Sequence, residues 1–427
     1  MFLVLGLFFG LLAIGLPVGF VIGVAGMIGI LQMGPRFMTM APDRLFAGLD
    51  LFPFLAMPFF ILAGEIMNRS GITMGLVKLA DALVGWLRGG MAHSNMVASV
   101  LFAGITGSAT ADAAAFGNTL VPAMEKAGYT RRFACAVTAA GSIIGPTIPP
   151  STLAIIYGSI MGVSIAGLFA AGILPGLLIC IICMAVIALL GRRLNLPKGE
   201  HGFDLCEVWL ALKEGILAAI LPVFILGSIL GGIATPTEAA AIAVAYALVV
   251  GGLVYRALSW RDLYDMCVRT TRITGVIFLI IASATILGWW MTFNQIPQMI
   301  AAAFLALSSD PNVIIGMILV LLLLIGLFMD INATLIILAP VLAPLTLTIG
   351  MDPVHAGIMI ILALNISLMT PPVGACLFVL ASVCKESVES ITVALWPFIL
   401  AEFMILLLVA FWSDLTLFIP RLLGLAG

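Results

Sequence analysis

Gly104-Ile105-Thr106-Gly107-Ser108-Ala109-Thr110-Ala111-Asp112 and Gly326-Leu327-Phe328-Met329-Asp330-Ile331-Asn332-Ala333-Thr334 stand 222 positions apart, and the register between them holds without a gap over the surrounding chain. Pro122 falls on Pro344, Gly128 on Gly350, and the pair Pro149-Pro150 on Pro371-Pro372. Each copy therefore reads as an interrupted apolar hairpin followed by an apolar helix broken at a Pro-Pro. Paired Gly/Pro-interrupted segments at corresponding positions of two halves point to the binding site of a membrane transporter.

Composition settles the solvent. With 63% hydrophobic and 9% charged residues, the 427-residue chain is an integral membrane protein. Apolar stretches long enough for about 30 Å of hydrocarbon recur, among them Phe2 to Leu31, Leu51 to Met67, Ile165 to Leu190, Leu210 to Leu230, Ala239 to Val254, Ile273 to Met291 and Ile391 to Val409. Roughly ten to twelve passes or hairpin arms are expected on that length criterion. The first stretch reads as a retained helix, because no Lys or Arg precedes it and it exceeds a signal-peptide core. The 18 Lys and Arg form no nucleic-acid patch, so membrane lipids rather than nucleic acid surround the chain. Cys180 and Cys183 lie in an apolar helix without a His or carboxylate close by in sequence, which favours packing over metal binding.

Flanking charge orients the copies. Arg69, Lys78 and Arg88 precede the first hairpin and Lys126, Arg131 and Arg132 follow it, the pattern of a cytoplasmic flank. The flanks of the second, Ser308 to Asn312 and Thr346 to Ala356, hold Asp310, Asp352 and His355 but no Lys or Arg. The expected fold is an all-α polytopic membrane protein of two inverted-topology repeats, each with a re-entrant helical hairpin and a Pro-Pro-broken helix. The first repeat is placed at 1–190, with its hairpin at about 93–126 and its broken helix at about 132–163. A polar linker with Arg192, Arg193, Lys198 and Glu200 follows at 191–207, and the second repeat occupies 208–427, with its hairpin at about 311–347 and broken helix at about 355–384. Gly75 to Leu87, Gln295 to Leu307 and the Trp260- and Tyr264-bearing Leu258 to Arg272 read as helices lying in the headgroup layer. His93 and His355 are expected near the interface.

A break at membrane depth frees backbone groups that lipid cannot satisfy, so it must face protein, a cavity or an ion. Thr106, Gly107, Ser108 and Thr110 supply oxygens at the first tip, and Ser142, Gly145, Thr147, Ser151 and Thr152 surround the first Pro-Pro break. Asp330, Asn332 and Thr334 stand at the second tip, with Asn365, Ser367, Thr370 and Gly374 near its break. Oxygen donors without His or thiolate suit an alkali or alkaline-earth cation, and sodium is the economical choice because neutral oxygens dominate. The second arm of each hairpin begins with free N–H groups that favour an organic anion. Cotransport of sodium with such an anion is the simplest use of both ends.

Three runs, Gly231-Gly232-Ile233-Ala234-Thr235-Pro236-Thr237-Glu238-Ala239-Ala240, Gly145-Pro146-Thr147-Ile148-Pro149-Pro150-Ser151 and Pro58-Phe59-Phe60-Ile61-Leu62-Ala63-Gly64-Glu65-Ile66-Met67, resemble the large membrane subunit of tripartite ATP-independent periplasmic (TRAP) transporters. The resemblance implies a sodium-driven importer of organic acids, of the sialic acid or C4-dicarboxylate class, in the bacterial inner membrane. It implies a small four-helix membrane subunit and a periplasmic substrate-binding protein as partners, and an elevator in which a transport domain slides against a scaffold. Carried over by motif, a first sodium site falls on Gly104, Thr106, Gly107, Ser108, Gly145, Ile148 and Pro150, mainly through carbonyls. A second falls on Gly326, Ser367, Thr370 and Val373, with Asp330 at the same tip as an ion or substrate contact. Substrate would lie near Ser108, Ser151, Asp330, Asn332 and Thr334.

Other polar residues have plainer readings beside the functional ones. Asp112 serves either as first-turn helix stabilisation or in coupling. Thr235, Pro236 and Glu238 suit a helix cap, with a coupling role as the alternative. The rival function is a self-contained sodium-coupled carboxylate or anion transporter that needs no binding protein. An intramembrane aspartyl protease using Asp112 and Asp330 lacks its Gly-x-Gly-Asp pattern around either residue. No catalytic residue and no organic cofactor are expected, so the chain is not an enzyme.

Overall fold

A computed structural model of the chain describes residues 2–199 and 202–425. Glu200 of the expected linker lies outside the described residues, as do positions 1, 201, 426 and 427 at the edges of the expected units. The described residues are helical with no strand beyond one isolated bridge, Arg88 to Lys198.

The first half contains α1 (Phe2–Ala13), α2 (Val18–Met33), α3 (Met40–Leu49), α4 (Ala56–Arg69), α5 (Thr73–Val84), α6 (Gly90–Thr106), α7 (Ala109–Lys126), α8 (Arg131–Ser142), α9 (Thr152–Met161) and α10 (Ile165–Arg193). The second contains α11 (Leu205–Leu230), α12 (Pro236–Val249), α13 (Trp260–Phe293), α14 (Ile296–Leu307), α15 (Pro311–Gly326), α16 (Ile331–Thr348), α17 (Pro353–Ser367), α18 (Ala375–Cys384), α19 (Val388–Phe411) and α20 (Asp414–Leu422). Subtracting 222 carries α16 onto 109–126, the bounds of α7, and brings α14, α15, α17 and α18 close to α5, α6, α8 and α9. Gly128 and Gly350 both end a hairpin's second arm with positive φ, and both Pro-Pro peptide bonds are cis.

Two expectations need correction. The stretch from Phe2 to Leu31 is two helices, not one: Gly15 takes φ of 86° and Pro17, which has no N–H to donate, precedes α2. The segment Leu258 to Arg272 is not a separate interfacial helix but the start of α13, which runs 34 residues or about 51 Å and so exceeds the hydrocarbon thickness. Its polar start, Trp260 and Tyr264, is exposed, and Asp262 there pairs with Arg69 of α4 at 2.7 Å. The corresponding stretch of the first half is bent by 58° between Arg36–Leu49 and Phe52–Arg69. Six described helices are long and apolar enough to span, seven if that bent pair is one span, and the other apolar helices are 10–17 residues long. Arms and half-helices thus account for much of the expected pass count.

Close backbone approach organises the helices around the hairpins. Gly26 and Gly29 of α2 face Leu287 and Trp290 of α13, and Gly75 of α5 crosses Gly215 of α11, where an added Cβ would meet the Gly215 Cα at 2.9 Å. Small residues at such crossings replace the hydrophobic driving force that lipid removes. The segment after α10 is tied to the base of the first hairpin, since Gly89 donates to the Pro197 carbonyl at 2.8 Å.

Candidate functional site

The first break is a nest of backbone. Chain between α8 and α9 turns through residues 143–151, every one buried, and beds on α10, where Gly172 and Gly176 leave room for the Thr147 carbonyl and the Ile148 side chain. Gly107 closes the other side: it takes φ of 58°, and a Cβ there would overlap the Pro150 carbonyl oxygen. Thr152 reaches across from its hydroxyl to the Gly107 carbonyl at 3.4 Å. The tip from Thr106 to Ser108 and the Pro-Pro break from Gly145 to Pro150 are thereby brought together.

Unpaired oxygens concentrate there. The carbonyls of Gly104 and Thr106, at the C-terminal end of α6, and of Gly145, Ile148 and Pro150 accept no hydrogen bond among the described residues. Buried carbonyls are rarely left so. The Asp112 side chain, fully buried, accepts from the Thr106 hydroxyl through Oδ1, while Oδ2 has no partner. A Cβ on Gly145 would overlap Oδ2, so the carboxylate is aimed at that glycine. Oxygen donors of this kind suit a hard cation.

The second break has a related but different build. Gly326 ends α15 against Ser367, whose Oγ would stand 2.5 Å from an added Cβ. Carbonyls of Gly326, Thr370 and Val373 are likewise unpaired among the described residues, whereas that of Ser367 accepts from Thr370 N at 3.2 Å. The Ser367 and Thr370 hydroxyls donate back into α17, to the Leu364 and Ile366 carbonyls. Exposure separates the two breaks: Val373 is 42% exposed, whereas its counterpart Ser151 is buried.

The residues expected to meet substrate are not equally free to do so. Asp330 is exposed, and its Oδ1 accepts from Asn332 N at 2.9 Å and Ala333 N at 3.2 Å, so it caps α16. Asn332 is half-buried beside it. Thr334 is buried and donates to the Asp330 carbonyl at 2.8 Å. Ser151 is buried, donates to the Pro146 carbonyl at 2.6 Å and caps α9. Ser108 is half-buried, its hydroxyl 3.3 Å from that of Thr110. Away from the tips, Thr235, Pro236 and Glu238 form a capping box at the start of α12, with Glu238 Oε2 accepting from Thr235 N at 2.8 Å. His93 and His355 are both buried, and His355 Nδ1 lies 2.8 Å from the Thr416 hydroxyl.

Sequence reading missed Glu402. It lies fully buried in α19 with Oε1 3.8 Å from Cys183 Sγ and Oε2 unpartnered. A single carboxylate inside the apolar stretch from Ile391 to Val409 was the available signal.

The family described as "Tripartite ATP-independent periplasmic transporter, DctM component" matches residues 5–415. The chain belongs to the DctM family of TRAP transporter permeases. It is 38% identical over 416 residues to the sialic acid TRAP transporter large permease protein SiaM of Vibrio cholerae, covering 97% of this chain and 96% of that one. It is 36% identical over 411 residues to the 2,3-diketo-L-gulonate TRAP transporter large permease protein YiaN of Escherichia coli, covering 96% of each. Among solved structures it resembles the YdaH transporter of Alcanivorax borkumensis, with a TM-score of 0.60 at 17% identity, covering 89% of this chain and 88% of that one; the likeness is one of fold. A DctM-family permease is a multi-pass inner-membrane transporter component rather than an enzyme.

Proposed function

We propose that this DctM-family permease imports an organic acid across the bacterial inner membrane, driven by sodium, with two inverted repeats forming an elevator. The observation that carries the reading is the pair of carbonyl cradles at matching breaks, at Gly104, Thr106, Gly145, Ile148 and Pro150 and at Gly326, Thr370 and Val373, with Gly104 and Ile148 standing 222 positions from Gly326 and Thr370. Each cradle would hold one sodium ion, the first with Gly107 and Ser108 closing the tip, the second with Ser367 and Asp330 beside it. Substrate carboxylate would meet the N-terminal ends of α7 and α16, near Ser108, Ser151, Asp330, Asn332 and Thr334. The flanking charge and the equal spacing of elements support the inversion.

The relatives are described as permeases for sialic acid, 2,3-diketo-L-gulonate, isethionate and C4-dicarboxylates, all acids, which supports an organic acid of the sialic acid or C4-dicarboxylate class here. Membership of a tripartite family supports a small four-helix membrane subunit and a periplasmic binding protein as partners. Two sodium ions moving with a monoanion would carry one net charge, about 2.3 kcal/mol at 100 mV. A tenfold sodium gradient adds about 1.4 kcal/mol per ion.

Uptake into proteoliposomes holding both membrane subunits, with candidate binding proteins added and sodium varied on each side, tests class and substrate together. Uptake should require inward-directed sodium and a loaded binding protein. Equal uptake of free acid without any binding protein would instead favour a self-contained carboxylate transporter.

A further inference from the structure

Positions 112 and 145 of the first half correspond to 334 and 367 of the second, and the two pairs are built differently. The first half has Asp112 facing Gly145; the second has Thr334 and Ser367. The difference is spatial as well as chemical. Gly145 has no side chain, and the space a Cβ would take there is filled by Asp112 Oδ2. In the second half Ser367 has its own side chain, which lies against Gly326, and Thr334 donates to the Asp330 carbonyl at 2.8 Å. Asp112 is not acting as a helix cap. Its carboxylate accepts from the Thr106 side chain and from no backbone N–H of α7, and Ser108, the residue before that helix, makes no side-chain cap either.

A fully buried carboxyl at the tip of a membrane hairpin, with one oxygen free and no Lys, Arg or His within ion-pair distance among the described residues, is neutralised by a proton or by a bound cation. The unpaired carbonyls of Gly145, Ile148 and Pro150 belong to the break at which that free oxygen is aimed.

We infer that the two cation sites are electrically unequal: Asp112 Oδ2 is a ligand of the first, which therefore binds its sodium tightly and as a neutral pair, while the second has no buried carboxylate, Asp330 being exposed and engaged as the cap of α16, and binds more weakly. The inference rests on the sodium-coupled reading above and adds an order to it. The ion beside Asp112 loads first, at the lower sodium concentration.

The test is sodium-dependent thermal stabilisation of the purified protein together with equilibrium binding of radioactive sodium, with choline chloride holding ionic strength constant. Wild-type protein should show two phases, and Asp112→Asn, close in shape, should shift the tighter one to about tenfold higher sodium or abolish it while leaving the weaker phase in place. Gly145→Ala, which keeps the carboxylate but displaces Oδ2, should weaken the same phase. The melting temperature in choline alone shows whether each variant is folded. Should either folded variant keep both wild-type phases, Asp112 is no ligand and the inference is overturned. A wild-type protein with no sodium response at all would sink the sodium-coupled reading itself.

Discussion

Asn365 of α17 donates from Nδ2 to the Thr147 hydroxyl at 3.1 Å, joining the second broken helix to the first in the buried interior. Thr147 donates onward to the Ile143 carbonyl at 2.8 Å, so the bridge is anchored in the backbone of the first break. The two breaks are held to each other by a polar contact where apolar packing alone would let them slide. Interhelical hydrogen bonds in membranes contribute about 0.6 kcal/mol on average.

A double-mutant cycle measures this bridge. Thr147→Val and Asn365→Leu should each lower the melting temperature, and their combined cost should be smaller than the sum by about 0.6–1.7 kcal/mol. Strict additivity would mean the bridge contributes nothing. Thermal unfolding in detergent provides the readout.

Gly107 and Gly162 both have positive φ, near 58° and 65°, yet only Gly107 has a neighbour where a Cβ would go. Gly162→Ala should cost about 1–2 kcal/mol for the left-handed backbone alone. Gly107→Ala should cost more, because the methyl also meets the Pro150 carbonyl, and it should abolish uptake while Gly162→Ala retains it. Melting temperature and proteoliposome uptake, compared for the two variants, separate strain from collision.

The capping box at α12 makes a plain prediction about Thr235 and Glu238. Thr235→Ala should lower stability by about 1 kcal/mol without changing the sodium concentration at which uptake is half-maximal. A shifted sodium dependence would instead make this corner part of the coupling machinery. Both measurements come from one variant.

Lys126 and Thr348 are equivalent positions, 222 apart, both exposed at the ends of α7 and α16. With the exposed Cys206 and Cys267 replaced by Ser, single cysteines introduced as Lys126→Cys and Thr348→Cys should react with an impermeant maleimide from opposite sides of the membrane. Labelling from the same side would contradict the inversion.

Helices, their breaks and their spacing were legible in the chain because each rests on local chemistry. Gly107, Gly128, Gly350 and the two Pro-Pro pairs interrupt helix wherever they occur, so α7 and α16 could be bounded closely. Legibility failed where backbone strain or continuity was subtle: Gly15 split the first apolar stretch, and nothing local divided Leu258 to Arg272 from the rest of α13. For the substrate residues, type alone did not show their local hydrogen bonds. Asp330 and Ser151 have oxygens suited to a ligand, and both also cap helices, a use decided by which N–H groups lie within reach.

From sequence alone came a membrane protein of two matching halves with a break at each tip and each Pro-Pro, because composition and backbone restriction act locally and need no partner. Tertiary structure alone decided that Asp112 faces Gly145, that Asn365 reaches Thr147, and that the first break is sealed by α10 while the second stays partly open. Those relations depend on which buried surfaces meet. Residues 33 or 218 positions apart in the chain come into contact only after the helices have packed.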